Sequence, residues 1–248
     1  MAAPALLLAV HGTRDPAGAA VARGLARSTA ALLNGPERPP GDPDARRVAV
    51  RLAFADVLSP DVAQVAARLA GPAVLVPAFL AAGYHVRADI PAQLERAGRG
   101  DIAVAPALGT HPALVRTAVR RLAGAGWRPG DAVVLAAAGS SDPAAAAQAG
   151  EAADAVAAAL PGTVRPAFIA VGTPGVADAV ADLRARGHRR VCVSPWLLAP
   201  GVFHRRLGTA GADAVAAPLC PSAAVASVLA DRYLAAARTH SGVARTTS

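Results

Sequence analysis

The sequence predicts an α/β protein of two similar lobes, each a four-stranded, mainly parallel sheet flanked by helices. Three observations predict it. Short, nearly continuous runs of Val, Ala and Leu alternate with segments whose apolar residues recur at helical spacing, the pattern of parallel strands covered on both faces. The pattern is written twice, and a repeat at half length marks a duplicated architecture. Proline-led helix starts then follow the strands at matching places in both copies.

The elements follow in order. LLLAV (6–10) reads as the first strand, Gly12 and Thr13 as a turn, Asp15 as a helix cap and Pro16 as the first helical residue. VAVRLAF (48–54) reads as the second strand, with Ser59-Pro60 as cap and first turn of a helix that buries Val62, Val65, Ala66 and Leu69. The third unit is VLVPAFLAAGYHV (74–86) and the fourth begins at DIAVAPALG (101–109). The second copy runs VVLAAAGSSDP (133–143), VRPAFIAVGTPG (164–175), VCVSPWLLAPGVFH (191–204) and ADAVAAPLC (212–220). Asp142-Pro143 answers Asp15-Pro16, and Thr173-Pro174 answers Ser59-Pro60. GAGWRPG (124–130) separates a first lobe over 1–123 from a second over 131–237, with a flexible tail over 238–248. The Pro/Gly-rich NGPERPPGDPDARR (34–47) reads as a mobile loop.

Composition narrows the function. With 54% hydrophobic residues the chain can bury a large core. No apolar run approaches the roughly 18–20 residues that span a bilayer, and the first apolar run reads as a strand, not a signal peptide. Cys192 and Cys220 form no CxxC pair, which argues against a disulfide framework or a zinc ribbon. A cytoplasmic protein, monomeric or homodimeric, is expected. The formal charge of +8 comes from arginine alone, as in a genome biased toward Ala, Arg, Gly and Pro, or as in a protein with an acidic small-molecule partner. Aromatic residues for stacking on bases make up only 3%, and no basic block tracks phosphates, so nucleic acid is not expected as a partner.

Ligands of open parallel sheets bind beyond the carboxyl ends of the strands. His11 follows the first strand there, and His85 lies a few residues beyond the third. In the second copy Ala138 takes the place of His11, and His204 is the best match to His85, so the chemistry is expected in the first lobe. His111 before Pro112 reads as a helix start, and His188 and His240 as surface and tail.

HGTRDP after the first strand, FADxxSP in the next unit, PAFLxxGYHVxxDIP and then ALGTHPxL, in that order, resemble the sirohydrochlorin chelatases of the CbiX/SirB type. The resemblance covers nearly the whole chain, including its duplicated form. It implies a class II chelatase that inserts Fe²⁺ or Co²⁺ into sirohydrochlorin without ATP, in sirohaem or cobalamin biosynthesis. The metal is then a substrate, and no cofactor is held permanently. The family's metal-handling histidines fall at His11 and His85, and its glutamate falls at Asp56, a shorter acid.

The residue types suit that chemistry. Two neutral imidazoles and a carboxylate hold a borderline divalent metal while leaving positions open for pyrrole nitrogens. A histidine can also take a pyrrole proton as the metal enters. Sirohydrochlorin carries eight carboxylates, and Arg14, Arg87, Arg205 and Arg206 stand beside the candidate loops to meet them. Tyr84 and His204 join them as candidate substrate contacts, and Phe79, Leu80, Trp196 and Leu197 are candidate walls for the ring. A histidine phosphatase would place Arg directly before His-Gly, where this chain has Val10. A non-catalytic tetrapyrrole or metal carrier on the same scaffold is the alternative from a different class.

Overall fold

The computed structural model describes residues 3–35 and 47–243, with side chains through 239. The first copy contains β1 (Ala5–Val10), α1 (Pro16–Asn34), β2 (Val50–Phe54), α2 (Val62–Ala66), β3 (Ala73–Ala78), α3 (Ile90–Arg96), β4 (Ala103–Val104) and α4 (Pro112–Gly124). A π-helical turn, His85–Asp89, leads directly into α3. The second copy contains β5 (Ala132–Gly139), α5 (Pro143–Ala159), β6 (Val164–Val171), α6 (Val176–Ala185), β7 (Val191–Trp196), α7 (Val202–Leu207), β8 (Ala214–Val215) and α8 (Ala223–Val243). The strands form two sheets of order β2-β1-β3-β4 and β6-β5-β7-β8, and every pairing is parallel.

The inner strands β1, β3 and β5 are apolar because helices shield the sheets from water, while the edge strands β2 and β6 carry exposed Arg51 and Arg165. Leu6, Leu7 and Leu8 are all fully buried, and each such side chain contributes about 1.5–3 kcal/mol of transfer free energy. Leu7, Ala53, Leu75, Val62, Val65, Ile90 and Leu94 make one core. Val134, Ala136, Val180, Leu183, Val193 and Leu207 make the corresponding core of the second sheet. Asp15 and Asp142 cap α1 and α5 as expected, accepting from the N–H groups of Ala17 and Ala144. His111 does the same for α4 through Nδ1, which accepts from the Ala113 N–H.

Ser59-Pro60 and Thr173-Pro174 do not start their helices. Both are cis peptides, and the Pro60 and Pro174 carbonyls accept from the N–H groups of Phe54 and Phe168. The helices begin later. Asp61 caps α2 in a reciprocal box with Gln64, and Gly175 precedes α6.

The chain divides into two compact units. One gathers the chain through Phe79, His85–Leu108 and everything from Val225 on, and the other Leu80–Tyr84 and Gly109–Ala224. In the first, the buried phenol of Tyr233 donates to the Pro4 carbonyl and Arg232 donates to that of Leu108. In the second, Arg121 of α4 donates to the Pro221 carbonyl. The last helix of each repeat therefore belongs to the unit built mainly from the other. The repeat boundary at 124–130 and the packing units divide the chain differently. The loop expected over 34–47 lies outside the described residues from 36 to 46, as does the tail from 244; α8 itself runs on to Val243. Among the described residues no helix is long and apolar enough to cross a membrane.

Candidate metal centre

In the order β2-β1-β3-β4 the chain leaves β1 toward β2 on one side and leaves β3 toward β4 on the other, so the order reverses between β1 and β3. Such a switch point leaves a crevice at the carboxyl ends of the strands. His11 follows β1 directly, Asp56 stands just past β2, and His85 opens the π turn after β3. One candidate ligand atom from each of the three lies within 4.8 Å of the others, so the fold brings together residues far apart in sequence. Two ligands of one ion at bonds of about 2.1 Å are at most about 4.2 Å apart. The spacing of the three candidate atoms is thus within about half an ångström of that span.

The carboxylate organises the cluster. Asp56 Oδ1 lies 3.0 Å from His11 Nδ1 and accepts from the Gly12 N–H at 2.8 Å, while Oδ2 lies 3.7 Å from His85 Nε2. A carboxylate only accepts, so the proton of the neutral His11 ring sits on Nδ1 and Nε2 carries the lone pair. The Phe79 ring backs both imidazoles, with centroids 6.3 Å from His11 and 6.1 Å from His85. The His11 side chain is 53% exposed, which leaves the cluster open to an incoming metal and to its release.

The loop that carries Asp56 is fixed at several points. The Ala55 N–H donates to the Val10 carbonyl, extending the β1–β2 ladder. Val57 has φ 60 and the Leu58 N–H donates to the Asp56 carbonyl at 2.6 Å, which together describe a γ-turn. A β-branched residue at positive φ is strained, and such strain persists only where the surroundings over-determine it. Gln93 of α3 supplies one such constraint: its buried amide donates to the Ala55 carbonyl and accepts from the Val62 N–H.

Burial alone would raise the Asp56 carboxyl. The His11 hydrogen bond, the Gly12 amide and the charges of both histidines outweigh it and hold the group below its ordinary 3.8. A lowered carboxyl stabilises the fold at pH above its unfolded value, and that contribution is lost as pH falls through the folded one. Asp56→Asn is therefore expected to lower the urea midpoint at pH 7. The gap to the parent should close as pH drops below 3.8, a comparison that paired urea titrations at pH 7 and pH 3 make directly.

Two residues missed in the sequence complete the centre. Asp89 Oδ2 lies 3.0 Å from His85 Nδ1; it is the aspartate of the GYHVxxDIP run, four residues after His85, but stands outside the site expected from sequence. Gln93 gave no sequence signal, because a single amide on a helix reads as surface.

The second sheet carries no such set. Register pairs Val10 with Ala78 and Phe54 in the first sheet, and Ala137 with Trp196 and Phe168 in the second. Counted on from these pairs, His11 corresponds to Ala138 and His85 to Phe203; Asp56 falls at Ala170 by count, but a register shift after Ala137 sets Val171 against Gly139, as Asp56 stands against Gly12. His204 is thus one residue past the His85 position, and its Nε2 donates to the Ala216 carbonyl at 3.1 Å. Arg205 and Arg206 are exposed on α7, with the Arg206 guanidinium over the Phe203 ring. Arg14, Arg87 and Tyr84 are exposed too. Trp196 is core in β7, while Leu197 packs against the second core. Cys192 and Cys220 are free and buried. Burial pushes the Cys220 thiol up to about 12 despite Arg121 nearby.

Two four-stranded parallel sheets in a duplicated pair, with two histidines and a carboxylate gathered at the strand ends of one of them, define a chelatase-like α/β protein. The CbiX family model matches residues 5–125 and 132–236, and the chain belongs to that family. Among solved structures, SirB from Bacillus subtilis with Fe3+ is 19% identical, with a TM-score of 0.78 over 98% of each chain. The sirohydrochlorin chelatase SirB from Bacillus subtilis subspecies spizizenii, in complex with cobalt, is 20% identical, with a TM-score of 0.74 over 98% of each chain. CbiX, described as the terminal enzyme for biosynthesis of siroheme in denitrifying bacteria, is 24% identical, with a TM-score of 0.69 over 94% of this chain and 99% of its own. These likenesses establish the fold. No curated protein matches the chain.

Proposed function

We propose that the chain is a chelatase that inserts a divalent metal, Fe²⁺ or Co²⁺, into sirohydrochlorin without ATP, on the way to sirohaem or cobalamin. The observation that carries this reading is the gathering of His11, Asp56 and His85 at the mouth of the first sheet. The three hold the metal from one side, and the pyrrole nitrogens take it from the other. Imidazole and carboxylate bind Fe²⁺ and Co²⁺ without the grip of thiolates, so the ion can be handed on. As the metal passes to the pyrrole nitrogens, the Nε2 lone pair it leaves is free to take a displaced pyrrole proton. The metals named for the two SirB structures, Fe3+ and cobalt, support the same assignment. Arg14, Arg87, Arg205, Arg206, Tyr84 and His204 are the proposed substrate contacts.

The test is the absorbance change on metal entry, with Fe²⁺ and Co²⁺ offered separately and no ATP present. Faster insertion than in protein-free buffer is expected. Stoichiometric sirohydrochlorin binding without faster insertion would make the chain a carrier instead. Arg14→Ala with Arg87→Ala is expected to raise KM for sirohydrochlorin several-fold more than it lowers kcat. Contacts to remote carboxylates hold ground and transition states alike. Raising the salt should imitate the double variant by screening exposed charge, and steady-state kinetics at two ionic strengths check both effects.

A further inference from the structure

We propose that Asp89 is the positioning residue that fixes His85 as a metal ligand through Nε2. The inference rests on the metal reading of the cluster and deepens it. Asp89 stands at the start of α3, where an aspartate ordinarily accepts from backbone N–H groups of the first turn. Asp15, Asp61 and Asp142 all do so in this chain. Asp89 makes no capping bond. Its carboxylate instead lies 3.0 Å from His85 Nδ1, with both side chains about a third exposed or less.

The backbone is shaped for this pair. His85 and Asp89 are the first and last residues of the π turn. Such turns are rare and are frequently found at functional sites. Gln93, further along α3, ties the helix to Ala55, the neighbour of Asp56. One helix therefore sets the positions of His85 and Asp89 and anchors the Asp56 loop.

The consequence is chemical. A carboxylate cannot donate, so the bond requires the proton of the neutral ring on Nδ1 and leaves the lone pair on Nε2. Nε2 is the atom that faces Asp56 Oδ2. The carboxylate also makes the ring a stronger donor to a metal. Loss of such an orienting partner typically lowers metal affinity about 10–100-fold.

The test uses the full chain without metal, then with Co²⁺ alone. Ring nitrogen shifts of ¹⁵N-labelled protein, assigned by comparison with His85→Ala, should show His85 protonated on Nδ1. Asp89→Ala should shift the ring toward the Nε2–H form and weaken Co²⁺ binding about 10–100-fold, with the melting temperature of the metal-free protein little changed. Asp89→Asn keeps an acceptor oxygen and should retain the Nδ1–H ring and recover most of the affinity. An Asp89→Ala protein with the parental tautomer and affinity overturns the proposal, and so does an Asp89→Asn protein as impaired as Asp89→Ala. If Asp89→Ala does not fold, the tautomer in Asp89→Asn decides: Nδ1–H supports the proposal and Nε2–H overturns it. A parent that fails to bind Co²⁺ removes the metal reading, while the tautomer of the metal-free ring still decides the role of Asp89.

Discussion

His11→Ala and His85→Ala should each lower metal insertion into sirohydrochlorin by roughly 10²-fold or more, equivalent to about 2.7 kcal/mol of transition-state stabilisation. The double variant should be little worse than either. The two rings and Asp56 would act on one ion, and groups that act as a unit show strongly non-additive losses. Folding should survive both changes. The His11 side chain is half exposed and neither ring is buried in the core, so urea midpoints should stay close to that of the parent. His204→Ala is the internal control. It stands one residue off the matched position and holds the Ala216 carbonyl, so it should leave Co²⁺ binding intact. Insertion rates with each metal, read beside equilibrium Co²⁺ titrations, separate loss of binding from loss of chemistry. A folded His11→Ala protein that inserts Fe²⁺ or Co²⁺ at the parental rate would remove that histidine from the reaction.

What could be read from the sequence was local or periodic. The strands were legible because both faces are buried, which makes them continuous apolar runs such as Leu6–Val10 and Val133–Ala137. The caps Asp15, Asp142 and His111 were legible because capping needs only a side chain within two or three residues of the N–H groups it serves. His11, Asp56 and His85 could be proposed as partners because strand ends in a parallel sheet converge on one edge.

The misses have equally physical causes. Ser59-Pro60 looks like a helix start, but the Pro60 carbonyl is engaged by the Phe54 N–H and the helix waits for Asp61. The His204 match was off by one residue: counted from Pro77 and Pro195, which strand register also sets at equivalent positions, Phe203 answers His85. Asp89 stood in the quoted GYHVxxDIP run, but nothing in that run announces the π turn that sets it against His85. Gln93 is buried because two backbone groups beside Asp56, the Ala55 carbonyl and the Val62 N–H, lack partners in a ladder or helix and need an amide between them. The exchange of α4 and α8 between packing units leaves the apolar pattern of each helix unchanged, so no period could disclose it.

Gly12→Ala should damage the protein twice, and Gly139→Ala only once. A Cβ on Gly12 would lie 2.0 Å from the Asp56 carbonyl oxygen and 3.1 Å from the Leu58 nitrogen. Both are backbone atoms of the γ-turn, so no flexible side chain can swing aside. Register makes Gly139 the counterpart, and a Cβ there would lie 1.9 Å from the Val171 carbonyl oxygen, on a backbone whose φ of +93° already disfavours a side chain. Overpacking of this kind costs about 1–3 kcal/mol, so both variants should unfold at lower urea than the parent. The difference lies in what the displaced turn carries. At Gly12 the turn holds Asp56, and relief of the clash pulls the carboxylate away from the Gly12 N–H and from His11. At Gly139 the approach is to Val171, and neither it nor Ala170 carries a ligand atom. With both variants kept folded, Co²⁺ titration should show a loss of about tenfold or more for Gly12→Ala, matching a disturbed ligand set, and parental affinity for Gly139→Ala. Equal affinities in the two would mean that the close approach of Gly12 to Asp56 serves packing alone. A selective loss would mean that the duplicated scaffold kept its glycine in both copies and built a metal centre on only one.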